Sequence, residues 1–388
     1  MKKSINLEII RYRYARCKRK GKTKLLNELC DLYGYNRKYL LQFFNHLTGK
    51  KHEKRGRKIK YIPDDDLLEP LKRIWLASDQ LCSKRLKEAI PIWLPFYEET
   101  YGAVSDEIRQ QLLSMSTGTL DRLLKPSRVR YKRRGLTGTK PGYLLKNQIP
   151  IKTDNWDVTQ PGFMEADTVA HCGNSLAGEF VWSLTLTDIL TGWTESRATW
   201  GKGEHGVVEQ IENVEKTLPF ALLGFDCDNG SEFLNWHLMR YLSNNRKQKV
   251  QFTRSRPYKK NDNAHVEQKN WTHVRQLFGY DRFDQPILVG LMNDLYCTEW
   301  SLYQNHFIPK QKLLSKEKIN SKYRKKYEKA KTPYKRIVES AHVDNEKKME
   351  LALLHQTLNP FELKKNIEKK LRKIFRYVTV NTKPRTKI

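Results

Sequence analysis

Asp167, Asp228 and Glu267 are the residues of this sequence whose types and settings invite chemistry. Asp167 falls inside Glu165-Ala166-Asp167-Thr168-Val169, a β-prone segment in which aspartate has poor propensity. Asp228 ends the apolar run that begins at Phe220, in the stretch Cys227-Asp228-Asn229-Gly230. Glu267 stands in Asp262-Asn263-Ala264-His265-Val266-Glu267, which reads as a helix. Two strand-borne carboxylates and one helix-borne carboxylate at one sheet edge would make a hard-oxygen site for Mg²⁺ or Mn²⁺. At roughly 4 Å, each uncompensated pair repels by about 4 kcal/mol in a medium of effective dielectric about 20, so such a cluster needs cations. Two divalent ions would supply them, one activating an attacking oxygen and the other steadying a leaving oxygen in an in-line phosphoryl displacement. Each residue taken alone has a plainer use. Asp228 could be a turn residue or a helix cap, and Glu267 a solvated helix position. Asp226 lies two residues before Asp228, so on a strand the two share a face. It is a decoy ligand or a group behind the ligands.

The rest of the chain leans the other way in charge. Its 388 residues carry Lys+Arg 73 against Asp+Glu 43, a formal net charge of +30. That excess points to a polyanionic partner, with nucleic acid ahead of an anionic membrane surface. No apolar run of about 18 residues is present, so no membrane span is expected. The basic N-terminus lacks the apolar core of a signal peptide. Cys17, Cys30, Cys82, Cys172, Cys227 and Cys297 form no CxxC pair, so neither a zinc site nor a disulfide framework is indicated. These features lead to the expectation of a reduced, intracellular, cytoplasmic protein.

Positioning the three acids requires a sheet. Strands are expected over 162–171, 180–188 and 192–199 as a meander, then over 220–228 and 250–255, alternating with helices over 203–218, 231–245 and 261–279. This is an α/β pattern, a mixed five-stranded sheet with flanking helices. Ahead of it, Leu25, Leu26, Leu29 and Leu32 recur at helical spacing, Gly34 breaks the pattern, and Asn36 can cap a second helix. This helix-turn-helix shape would leave Arg37, Lys38 and Gln42 exposed toward base edges or phosphates, although a plain helical hairpin reads the same way. The expected organisation is a helix-turn-helix unit over 1–60, a second helical unit over 61–135, a linker over 136–154, a catalytic core over 155–305 and a basic, mainly helical tail over 306–388. Within the tail, Lys and Arg interleave with Tyr and Phe, a usable nucleic-acid surface, and Phe375–Val380 alone reads as strand.

The segments Glu165-Ala166-Asp167, Cys227–Phe233 and Arg256–Asn270 together resemble the catalytic core of DDE transposases and retroviral-type integrases. The resemblance covers about 155–310. It implies an RNase H-like fold, with Asp167, Asp228 (rather than Asp226) and Glu267 as the metal-holding, catalytic acids. It further implies double-stranded DNA as substrate, at element terminal repeats and at target sites, and a homo-oligomer that holds two DNA ends. Asn263, one helical turn before Glu267, matches a position near the DNA end. Tyr258, Lys259, Lys260 and Lys269 flank the acids and are candidates to hold that end, or else form a solvated basic face. His171, four residues past Asp167, is a candidate for contact with phosphate or for support behind the metal. The sequence departs from the family in a long Asp228-to-Glu267 interval and in lacking the integrase zinc module. The alternatives are a catalytically silent DNA-binding descendant and an RNase H-like nuclease.

Overall fold

The computed structural model describes residues 7–45, 61–131, 158–201, 203–227, 233, 236–243, 249–254, 264–319 and 322–378. It divides into two compact units, Met1–Tyr61 and Ile62–Ile388.

The first unit contains α1 (Leu7–Arg16), α2 (Arg19–Tyr33) and α3 (Arg37–Asn45). Leu25 and Leu26 each lie about one helical turn before Leu29, and all three bury against Tyr14, Leu40 and Phe44. Gly34 ends α2 in a left-handed conformation, φ 68°, with its N–H donating to the Cys30 carbonyl. The Asn36 side chain then accepts from the Lys38 N–H at 2.9 Å, which starts α3. Leu32, expected on the buried stripe, is instead 75% exposed. It lies in the last turn of α2, where the chain reverses before a helix of only nine residues.

The second unit opens with α4 (Asp65–Ala77), α5 (Ser83–Tyr101), α6 (Asp106–Ser114) and α7 (Thr117–Arg130). Side chains of Asp64, Ser105 and Ser116 accept from the first-turn N–H groups of α4, α6 and α7. The sheet follows: β1 (Phe163–Ala170), β2 (Val181–Asp188), β3 (Thr194–Trp200), β4 (Gly224–Cys227) and β5 (Gln251–Arg254), in the order β3-β2-β1-β4-β5. Strand β2 runs antiparallel to β1 and β3, while β4 is parallel to β1 and β5. This order and sense make an RNase H-like mixed sheet.

Its two faces differ in chemistry. Met164 and Ala166 on β1, Leu184 and Leu186 on β2, and Phe225 and Cys227 on β4 share an apolar face. It is covered by Val207, Ile211 and Val214 of α8 (Glu204–Thr217) and by Leu238 and Leu242 of α9 (Trp236–Ser243). The opposite face carries Glu165 and Asp167 of β1, Thr185 and Thr187 of β2, and Asp226 of β4. Over β1 and β2 on that side lies α10 (Ala264–Lys269), continued by a π-helical stretch, Asn270–Arg275, and by Gln276–Phe278.

Strand β4 is shorter than its apolar run suggests. Leu223 and Gly224 donate to the Gly162 carbonyl at 2.8 and 3.1 Å, so the preceding residues approach the end of β1 instead of pairing along it. Gly162 has φ +117°, and a Cβ there would stand 2.4 Å from the Ala221 carbonyl oxygen, so this approach needs glycine.

After α11 (Ile287–Leu295) and its π-helical continuations, the tail differs from the expected helical run. Leu313–Ile319 and Lys322–Tyr327 pair as an antiparallel hairpin, β6 and β7. Alternating basic and apolar or aromatic residues suit a two-stranded ribbon better than a helix face. Helices α12 (Pro333–Glu339), α13 (Asn345–Gln356) and α14 (Pro360–Phe375) follow. The strand expected at Phe375 is instead the end of α14, where Ile374 is buried on the helical stripe. Among the described residues, no helix is long and apolar enough to cross a membrane.

Candidate functional site

Asp167 occupies the middle of β1, the central strand, opposite Thr185 of β2. Its carboxylate is half-buried. Oδ2 accepts from Asn270 Nδ2 at 2.6 Å, and Oδ1 accepts from the Thr168 N–H at 2.7 Å. Two residues earlier on the same face, buried Glu165 accepts the Val266 N–H at 3.0 Å through Oε2. Val266 lies in the first turn of α10, where N–H groups have no partner within the helix and the helix dipole favours a carboxylate. β1 thus grips α10 at both ends with two acids. Glu267 directly follows Val266 and precedes Asn270 by three positions, and its side chain lies outside the described residues.

The neighbouring strand brings more acid to this face. Glu165 stands opposite Asp226, and Ala166 opposite Cys227, in the parallel β1–β4 ladder. Asp226 is buried and accepts from Thr253 Oγ1 of β5 at 2.5 Å. Cys227 is the last described residue of β4, and Asp228 is next in the chain and lies outside the described residues. Tyr258, Lys259, Lys260 and Asn263 also lie outside them.

Two expected site residues turn elsewhere. His171 is fully buried, with Nε2 2.7 Å from Ser183 Oγ, which in turn lies 2.8 Å from the Tyr296 hydroxyl. The ring packs against Phe278 and Phe283. Burial, with Arg275 adding to it, pushes its pKa down to about 3, so it is a neutral core imidazole. A ring buried to this extent makes no contact with a phosphate. Lys269 is half-buried, and its amine meets Lys310 on another side of the helix from Asn270. Arg37, Lys38 and Gln42 are exposed on α3, with the Arg37 guanidinium also bonded to Asn27 Oδ1.

Glu165 and Asn270 are the participants that the sequence did not single out. Glu165 carries a legible signal, since it alternates with Asp167 on the strand. Asn270 could be found only from its three-residue spacing to Glu267, and the π-helical start at Asn270 is not readable from periodicity. Among the described residues, no group of three His, Cys, Asp or Glu stands ready to hold a metal. Of the three expected ligands, the described residues include the side chain of Asp167 alone. Asp167 offers carboxylate oxygen, the helix bearing Glu267 is tied to the same strand, and β4 leads straight into Asp228.

No family model matches the chain. The uncharacterized protein y4rM of Sinorhizobium fredii (strain NBRC 101917 / NGR234) is 37% identical over 326 residues, spanning 83% of this chain and 91% of that protein. Among solved structures, the catalytic core domain of BIV integrase aligns at 15% identity and a TM-score of 0.29, over 47% of this chain and 96% of that one. A simian T-cell lymphotropic virus intasome in complex with PP2A regulatory subunit B56 gamma aligns at 13% identity and a TM-score of 0.32, over 62% of this chain and 73% of that one. At such TM-scores neither alignment adds to the strand order described above.

Proposed function

We propose that this chain, which belongs to the same family as y4rM of Sinorhizobium fredii, is a DNA transposase of the DDE type that cleaves the 3′ ends of a mobile element and joins them to target DNA. The observation that carries this reading is the bond from Asn270 Nδ2 to Asp167 Oδ2, 2.6 Å, which fixes the helix bearing Glu267 against the central strand of an RNase H-like sheet. The order along the chain of Asp167 on β1, Asp228 directly after β4 and Glu267 on α10 supports it further.

Asp167, Asp228 and Glu267 would hold two Mg²⁺ or Mn²⁺ ions. Bound there, the ions would activate an attacking oxygen and stabilise a leaving one. The chain's own work is positioning. Glu165 and Asn270 hold the helix bearing Glu267 against β1, beside Asp167. Asp226, held by Thr253, keeps β4 and β5 in register behind the site.

DNA contacts are assigned to two regions. The exposed Arg37, Lys38 and Gln42 of α3 would read the terminal repeats. The β6–β7 hairpin, with Lys325, Lys326 and Arg324 exposed, would add phosphate contacts without sequence preference. The protein would act as a homo-oligomer pairing two DNA ends.

Incubating the protein with Mg²⁺ and duplexes carrying the flanks of its own gene tests the proposal. The expected products are nicks with free 3′ ends and joined strands, both lost with EDTA. Binding without any nicking or joining would favour a catalytically silent DNA-binding protein. Cleavage confined to the RNA strand of hybrids would favour a nuclease.

A further inference from the structure

A cavity of about 480 Å³ opens on another side of the π-helical segment from Asp167. Arg85, Lys269, Lys310 and Lys364 line it, and Asp79 is the carboxylate at its wall. Asp79 is already engaged by Lys364 Nζ at 2.7 Å and by the Tyr303 hydroxyl at 3.0 Å. The Asp79 charge also acts on Arg85, while the contacts of Lys310 and Lys269 are to neutral groups and to each other. Arg85 Nε donates to the Pro309 carbonyl at 2.6 Å. Lys310 Nζ lies 3.2 Å from the Gly192 carbonyl oxygen and 3.3 Å from His273 Nε2. Lys269 meets the amine of Lys310. Three basic side chains thus converge on one cavity whose carboxylate is already engaged by Lys364, an arrangement that suits an anion.

The wall also carries groups suited to a planar, hydrogen-bonding body. Trp300 lines the wall, and its buried indole N–H has no partner among the described residues. Gln268, Gln276 and Gln304 also line the cavity. The volume lies within the range of small-ligand sites.

We infer that this cavity binds a phosphate ester of mononucleotide size, with the phosphate on Arg85, Lys269 and Lys310 and the base beside Trp300. The ester could come from a free nucleotide or from the 5′-phosphorylated end of a DNA strand. In either case it would touch the helix whose other side is bonded to Asp167.

Calorimetric titration of the full chain in EDTA, with pyrophosphate and with dAMP as probes, tests the site apart from any metal. Wild-type protein is expected to bind both with Kd of about 1 mM or tighter. Arg85→Gln and Lys269→Gln should each weaken both probes about tenfold or more, as for loss of a charge-assisted hydrogen bond. Lys269 is half-buried, so its variant keeps the test open should Arg85→Gln misfold. Trp300→Phe should weaken dAMP and spare pyrophosphate, while Lys347→Gln on the exposed side of α13 should change neither. Competition of a 5′-phosphorylated oligonucleotide against dAMP would identify a strand end as a source, and failure to compete would identify the free nucleotide. Either result keeps the phosphate-ester assignment. Absence of wild-type binding at about 10 mM probe, or equal binding by the folded Arg85 and Lys269 variants, would overturn it.

Discussion

Asp167→Asn is expected to lower end cleavage and strand transfer by about 10³-fold or more, the effect of losing several kcal/mol of transition-state stabilisation at a metal-holding acid. Asparagine matches aspartate in shape and keeps one side-chain oxygen, so the bond from Asn270 Nδ2 can survive. What disappears is one negative charge on the central strand, with the local bond that Oδ1 accepts from the Thr168 N–H. Thermal stability and duplex affinity should therefore stay near wild type, and that separates a catalytic role from a structural one. Product formation on gene-flank duplexes, read beside duplex binding and the melting temperature, makes the comparison. A variant that cleaves and joins at the wild-type rate would remove Asp167 from the site.

The second large effect is structural. Trp93 of α5 is fully buried, and its ring meets Tyr303, Phe307 and Phe361 edge-to-face. Its indole N–H donates to the Phe307 carbonyl at 2.9 Å. One side chain thus joins the helices before the sheet, the π-helical end of the segment after it, and α14. Trp93→Ala should destabilise the second unit by about 3–5 kcal/mol, combining lost apolar burial with the cavity left behind. Trp93→Phe keeps most of the ring contact and loses the hydrogen bond, so about 1–3 kcal/mol is expected. Urea unfolding of the full chain, following the transition of the 62–388 unit, reads both values. A loss below about 1 kcal/mol for the alanine variant would show that these helices do not depend on α5 for their packing.

Much of the sheet was legible because its strands are short, β-branched and bounded by turn residues. Val181–Asp188 and Phe163–Ala170 stand almost where alternation puts them. Partners across the chain were not legible. The sequence marks Phe220–Leu223 as apolar, but only the ladder with β1 decides that pairing begins at Gly224. His171 shares the alternation of Asp167, yet it follows the end of β1 and turns into a cluster with Ser183 and Phe283. Lys269 reads as a basic neighbour of Glu267, while the π-helical turn directs it to Lys310. The β6–β7 hairpin was missed because its charge density masked its alternation. At the candidate site, the mid-strand aspartate was readable from its low propensity and Glu165 from its alternation with it, whereas Asn270 became visible through a bond that joins residues about a hundred positions apart.

The measurement that bears most directly on the account is an anomalous-scattering map of the protein crystallised with Mn²⁺ and a cleaved DNA end. Two manganese peaks are expected, each within about 2.5 Å of carboxylate oxygens, with Asp167 shared between them and Asp228 and Glu267 each holding one. Manganese bound elsewhere, with the oxygens of Asp167, Asp228 and Glu267 left clear of any peak, would contradict the central claim.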